Sequence, residues 1–432
     1  MSPDELAHAP RLRSALAFVR RSLLPVPWRA LAIAALAALF LWRLWHLRSD
    51  GQWDFMTYYW AAKAQRAGYD PYQLASLSWV AGKNIVLPYL YPPGVLYLIR
   101  PLTWLPLDVA IVVFVSLKLA GLVALLLLWL ACLGKQEALP LLVLLVLGFS
   151  HAVLNDVFAG NVSTFEQLAL WFGFLLLLRQ RVVAFSILVV LASVAKVTPL
   201  GFLLLVLFTS HRRRFLIFAC AGGAGLLSIL ASFGGSPTRM FNYFKLVGTY
   251  YERGPSNPTL FPLLLDVYQP LALRSRLAWL IAANATYGLA VIVLLGLTAL
   301  VAIRIWRLRR DDRAAMLDYL MGIILVYAIA LPRFKNYSYV LLIPAVVFVG
   351  RRIKNALPLL ILLACLTNRN TFDLYALDGF PLTDLVSKYF NLVIAVVLWL
   401  AYVRYAWGRG SSSQEKVPDT GRIPSEASVG QP

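Results

Sequence analysis

Charge is scarce in this sequence, and negative charge most of all. Of 432 residues only 14% are charged, with 20 Asp and Glu against 40 Lys and Arg, while 60% are hydrophobic. A soluble domain is roughly half apolar and about a quarter charged, so this chain has too little polar surface to hide its apolar residues from water. That excludes a soluble enzyme, and it excludes an ordinary nucleic-acid-binding protein despite a formal net charge of +20. The basic surplus bears instead on where Lys and Arg lie relative to lipid. Cysteine is nearly missing: Cys132, Cys220 and Cys365 are odd in number and fall inside apolar runs, a pattern that suggests neither a disulfide framework nor a zinc site. The histidines His8, His46, His151 and His211 are scattered, and no HExxH, DxD, P-loop or glycine-rich nucleotide motif occurs. No metal and no nucleotide cofactor is therefore indicated.

What the chain has in abundance is long apolar runs. A helix crossing the hydrocarbon needs about 20 mostly apolar residues. The first run covers 30–47, and others follow at 107–133, 138–154, 164–178, 215–233, 277–306, 316–331, 337–350, 356–366 and 389–407. Between the first two lies a more polar segment, 48–106, rich in Tyr and Trp, the residues that favour the membrane interface. The stretch 182–208 is interrupted at Lys196-Val197-Thr198-Pro199, where proline removes a backbone donor and breaks or kinks a helix.

The positive-inside rule decides whether that stretch turns back. If it does, the arginine-rich ends around Arg20-Arg21, Arg179, Arg212 to Arg214, Arg304 to Arg313 and Arg351-Arg352 share one side with both termini. A single crossing would put His211-Arg212-Arg213-Arg214 outside. The expectation is an all-α polytopic membrane protein of about twelve transmembrane helices, both termini cytoplasmic, with amphipathic helices on the outer surface. Residues 1–29 read as a cytoplasmic basic amphipathic segment suited to an anionic membrane surface. Residues 30–407 read as the transmembrane domain with outer loop 48–106, and 408–432, rich in Pro, Ser and Gly, as a disordered cytoplasmic tail.

Polar groups are densest in four outer segments: 50–59, 87–94, the 196–199 break with Gly160-Asn161 one hairpin earlier, and 331–337 together with 256–259. Lys196, Arg333 and Lys335 fall at the outer ends of broken or short spans, where cations can hold an anionic headgroup. Such flanking cations also snorkel to the interface with no ligand at all. Lys118 lies near mid-bilayer, where a charge costs about 3 kcal/mol or more, so it needs a partner or a wet cavity. Among carboxylates, Asp54 and Asp50 stand one helical turn apart, and spacing alone prefers neither. No second carboxylate at a fixed distance along the chain completes an acid–base pair. Tyr58 and Tyr91 read as interface anchors as readily as ligand contacts.

Four of these stretches, taken together, resemble glycosyltransferase family 87. They are DFMTYYWAAKAQRAGYDPY from Asp54, YLYPPGVLYLIRPLTWLP from Tyr89, GNVSTFEQLALWFGFLLL from Gly160, and AKVTP from Ala195. The likeness runs in the family's order from about Asp54 to Pro344. The family is a group of GT-C membrane enzymes that includes polyprenol-phosphate-mannose-dependent mannosyltransferases. The resemblance implies a GT-C-like fold and an enzyme that takes a sugar, mannose or another hexose or pentose, from a polyprenyl phosphate on the outer leaflet. The acceptor would be a hydroxyl on a lipid or glycan. It puts the catalytic base on Asp54, and the family's Lys before Thr-Pro falls on Lys196. Two departures bear on the sugar and acceptor. The family's Gly-Gln is Gly160-Asn161 here, and the His-containing outer motif of the mannosyltransferase members is replaced by Pro332-Arg333-Phe334-Lys335-Asn336-Tyr337.

A sugar on a phosphate already carries a good leaving group, so one carboxylate suffices as base. The expected reaction is an in-line displacement with inversion. Asp54 takes the acceptor proton; Lys196, Arg333 and Lys335 neutralise the departing phosphate; Tyr58, Tyr91, Asn161 and Asn257 touch sugar or acceptor. Partners are the polyprenyl-phosphate sugar donor, the lipid or glycan acceptor and membrane lipids, with no nucleic acid, in the cell membrane with the active site on the outer face. The main rival is a transporter or flippase of a lipid-linked sugar, which often shows paired halves with matching broken helices; no such internal repeat is present. An O-antigen ligase or polymerase usually has its large outer loop nearer the C-terminal half. Outer segments converging on one cavity closed to the cytoplasm would favour the transferase.

Overall fold

The computed structural model describes residues 26–46, 51–250, 252–273, 275–308, 313–366 and 387–412. Every regular element among them is helical. The N-terminal amphipathic stretch up to residue 25, Asp50 and residues 413–432 lie outside the described residues. The last helix runs from Phe390 to Ser412, past the boundary at 408 expected for the tail.

Among the described residues, six helices are long and apolar enough to cross a bilayer: Trp28–Trp45, Leu107–Leu133, Arg214–Ser232, Arg276–Arg307, Arg313–Ala330 and Phe390–Gly408. A seventh crossing results if Lys135–Gly148 and Ser150–Ala159, bent by 66°, form one broken span. The other apolar runs become shorter helices, Ser163–Leu178, Val182–Ala195, Thr198–Leu207 and Ala356–Leu366. At about 1.5 Å per residue these are shorter than the ~30 Å hydrocarbon thickness, so among the described residues length and composition alone identify six or seven crossings.

The breaks have local causes. Lys196 leaves helical geometry, with φ −155° and ψ 122°, and Pro199 follows in a tight 3-10 turn over Thr198–Leu203. At the other bend the backbone loosens into a wide turn over Leu144–Gly148. Arg43 of the first span reaches across to donate to the Val146 carbonyl at 2.9 Å, satisfying an acceptor that lipid could not.

The short helices pack tightly. The 163–178 helix lies against both 182–195 and 107–133, and 182–195 packs on 214–232. Their shared core is almost wholly aliphatic and aromatic, with Trp129, Trp171, Phe174, Phe185 and Phe202 fully buried.

A second, smaller core of different chemistry lies under the segment 51–106. That segment folds into helices Trp53–Arg66, Leu74–Ala81 and Gly94–Ile99 and a 3-10 turn over Arg100–Trp104. The buried side chains of this core include Phe55, Tyr58, Tyr59, Tyr72 and Tyr89 from that segment and Tyr243 from the helix Pro237–Thr249. Phe55 stacks on Phe114 of the long 107–133 helix at 4.4 Å between centroids. Gly94 is essential to the fit, because a Cβ there would lie 2.2 Å from the Val194 carbonyl. The Pro92-Pro93-Gly94 turn is thereby brought against the end of the helix that leads to Lys196.

Candidate active site

Asp54 sits in the first turn of the Trp53–Arg66 helix, where helix N-terminal amides favour a negative side chain. The start of that helix is tied to the end of another. Gln52 adopts a left-handed conformation, φ 68°; its backbone N–H donates to the Phe158 carbonyl at 2.6 Å and its side-chain amide donates to Val157 O at 2.8 Å. Gly160, also left-handed at φ 70°, closes the 150–159 helix, and a Cβ on it would come within 2.5 Å of Gln52 Oε1. Glycine both turns the chain and makes room for the residue that begins the Asp54 helix.

The next residue, Asn161, is the hub of the site. Its Oδ1 accepts from the Ser163 backbone N–H at 3.0 Å and from Ser163 Oγ at 2.8 Å, and since a backbone N–H only donates, the orientation of the amide is fixed. Nδ2 therefore faces Asp54 Oδ2 at 2.7 Å, with the hydroxyls of Tyr58 at 2.8 Å, Tyr91 at 2.7 Å and Tyr337 at 2.7 Å. An amide nitrogen carries two hydrogens, so four oxygens cannot all be served by it. The tyrosine hydroxyls must also share hydrogens among themselves, and Tyr91 lies 3.4 Å from Tyr337. Burial raises the Asp54 pKa above the ordinary carboxylate range, while Lys335 and the Asn161 hydrogen bond pull it back.

Asn161 is itself held from below. Lys118, fully buried, pairs with Asp156 Oδ2 at 2.9 Å, donates to the Asp156 carbonyl at 2.7 Å and also donates to the carbonyl of Asn161. Thr164 Oγ1 donates to the same carboxylate. The mid-membrane lysine thus has the partner its position demands, and it fastens the turn that carries Asn161.

Facing Asp54 across a narrow cleft are Arg333 and Lys335. Residues lining the cleft include Asp54, Thr57, Tyr58, Leu87, Pro88, Tyr91, Tyr250, Glu252 and Tyr337 along with the two cations. Neither cation is free. Glu252 Oε2 accepts from Arg333 Nη2 at 3.2 Å and from Lys335 Nζ, and the Arg333 guanidinium lies over the Tyr250 ring at 5.8 Å. Burial pulls the Lys335 pKa down, opposed by Glu252.

Three predicted residues are not part of the cleft lining: Asn161, bonded to Asp54 as described, and Lys196 and Asn257. Lys196 pairs with Glu166 Oε2 at 3.0 Å and approaches Ser338 Oγ at 3.5 Å. Asn257 spends its amide on backbone: Oδ1 accepts from the Phe334 N–H at 2.9 Å and Nδ2 donates to the Pro332 carbonyl at 3.3 Å. It braces the loop that presents Arg333 and Lys335.

The sequence profile of glycosyltransferase family 87 matches residues 89–332, more than half of the chain. The chain belongs to glycosyltransferase family 87. Membership implies a membrane glycosyltransferase, acting on a sugar donor and an acceptor, and the apolar helices agree with a membrane location. No curated protein and no solved structure matches the chain. The family match takes in Tyr91, Lys118, Asn161, Lys196, Glu252 and Asn257; Asp54 and Tyr58 precede it, and it stops one residue before Arg333.

Glu252, Glu166, Asp156 and Tyr337 were not expected as parts of the glycosyltransferase site. A signal existed for the acids. With only 20 in the chain, an acid beside the polar outer segments or inside an apolar helix needs a cationic partner.

Proposed function

We propose that this family 87 enzyme transfers a sugar from a polyprenyl phosphate to a hydroxyl on a lipid or glycan at the outer face of the cell membrane, with inversion. The observation that carries the reading is the cleft that combines one amide-held carboxylate, Asp54, with two cations, Arg333 and Lys335. Asp54 is the base. The acceptor oxygen attacks the anomeric carbon as its proton passes to Asp54, and the bond from that carbon to the phosphate oxygen breaks. The electron pair leaves with the polyprenyl monophosphate.

The donor's phosphodiester carries one negative charge and the departing monophosphate up to two. Cations at the phosphate therefore stabilise the transition state more than the bound donor, which is what accelerates a reaction. Arg333 and Lys335 take this part directly. Lys196, paired with Glu166, adds positive charge from behind, Tyr58 and Tyr91 contact sugar or acceptor, and Asn161 and Asn257 hold the base and the cationic loop in place. Mannose or another hexose or pentose is the donor sugar that the family suggests.

The same reading takes the fold as GT-C-like with both termini cytoplasmic. In it the bent pair, the shorter apolar helices and the 336–352 segment complete twelve crossings. Convergence of segments 54–58, 87–91 and 333–337 with Tyr250 and Glu252 on one cleft favours transferase chemistry over a transport pathway. Turnover of a radiolabelled polyprenyl-phosphate sugar in membranes tests the assignment. Asp54→Asn should lower the rate by about 10²–10⁴; full turnover by that variant would remove Asp54 from the role of base.

A further inference from the structure

The cleft is too small for the molecule it is proposed to bind. Its volume is about 30 Å³, the room of about one water, whereas ligand pockets run from about 300 Å³ upward. What fills the anion position is part of the chain itself. A single carboxylate oxygen, Glu252 Oε2, bridges Arg333 and Lys335, the two cations that a donor phosphate would need. The three side chains keep 27%, 18% and 20% exposure for Arg333, Lys335 and Glu252, so an outside anion can reach the pair.

We propose that Glu252 is an internal counter-ion that donor phosphate displaces, and that its competition for Arg333 and Lys335 sets the enzyme's affinity for polyprenyl phosphates. This rests on the reading of the cleft as the donor site. The exchange is matched in charge, one carboxylate for one phosphodiester, so donor binding strands no net charge. After transfer the same carboxylate competes with the prenyl monophosphate for the two cations and speeds its release. Glu252 is then an affinity-setting residue and not a catalytic one. The carboxylate of Asp54, on the opposite side of the cleft, remains free to act as base.

The test is binding of farnesyl phosphate to the purified full-length protein in detergent, followed by equilibrium dialysis, with Glu252→Gln as the main variant. Glutamine keeps the size and removes the charge, so farnesyl phosphate should bind about tenfold more tightly. In turnover assays the donor KM should fall and inhibition by farnesyl phosphate should strengthen, while kcat falls because product leaves slowly. Glu252→Asp, which keeps the charge on a shorter stem, should give an intermediate affinity and covers the case in which the glutamine variant fails to fold. Equal or weaker binding by Glu252→Gln, with wild type binding normally, overturns the counter-ion role and leaves the donor site standing. Binding by neither protein overturns both this role and the donor-phosphate reading.

Discussion

Two ion-pair clusters lie on either side of Asp54 and differ in how far water can reach them. Lys118 and Asp156 are sealed, at 0% and 4% side-chain exposure. Arg333, Lys335 and Glu252 stand at the cleft with 18–27% exposure. Both clusters set lysine against carboxylate, but the surroundings give them opposite properties. In the dry cluster, removing one partner leaves a buried charge uncompensated, so the pair behaves as a fixed brace. At the cleft, water and an incoming anion can replace either partner, so the pair behaves as an exchangeable contact. Burial separates a fixed pair from an exchangeable one.

Mutations at the sealed cluster should have the largest effect. Lys118→Met should cost about 3–5 kcal/mol of stability by stranding Asp156, seen as a large drop in melting temperature. Lys118→Met combined with Asp156→Leu should recover much of that loss, because neither charge then needs a partner. A single variant as stable as wild type would erase the contrast between the clusters.

Next in size is Asn161→Leu, which cuts the link between the sealed cluster and the base. It should lower kcat by about tenfold, the scale of a lost hydrogen bond to a charged group. The Asn161 hydrogen bond holds the Asp54 pKa down, so without it the acidic limb of kcat against pH should move to higher pH. An unmoved limb would mean that Asn161 does not act through Asp54.

Arg333→Gln should change stability by less than about 1 kcal/mol, as expected of a partly exposed pair, yet raise the donor KM. A loss as large as that of Lys118→Met would place both clusters in one class. The smallest effect on stability is expected at the base itself. Burial leaves the folded-state pKa of Asp54 above its unfolded value, so its contribution to stability is present at low pH and lost as pH rises through the folded value. Asp54→Asn should therefore melt slightly higher than wild type in alkaline buffer, with the difference closing in acid.

Much of the architecture was legible because apolar length is a property of the chain alone. The runs 107–133 and 356–366 became helices with those same limits, and the break at Lys196 to Pro199 fell where proline requires it. Crossing number was harder to read. A bend such as the 66° turn after Gly148 is held by contacts from elsewhere, among them Arg43 on Val146, and no local pattern announces it. The candidate site was legible in part for the same reason. Asp54, Arg333 and Lys335 lie in polar outer segments, and composition marks such segments. Their shared cleft depends on Gly160, Gln52 and Asn257, which act through close approach and backbone hydrogen bonds.

The amino-acid sequence by itself determined that this protein lives in lipid, where its polar segments fall along the chain, and which family it joins, since hydropathy, charge bias and motif order are all carried by the linear chain. Only the tertiary structure decided that Lys118 is sealed against Asp156 and that Glu252 bridges Arg333 and Lys335. Both are lone charges in the sequence, and a charge takes its meaning from the partner within about 3 Å and from the water that can or cannot reach it.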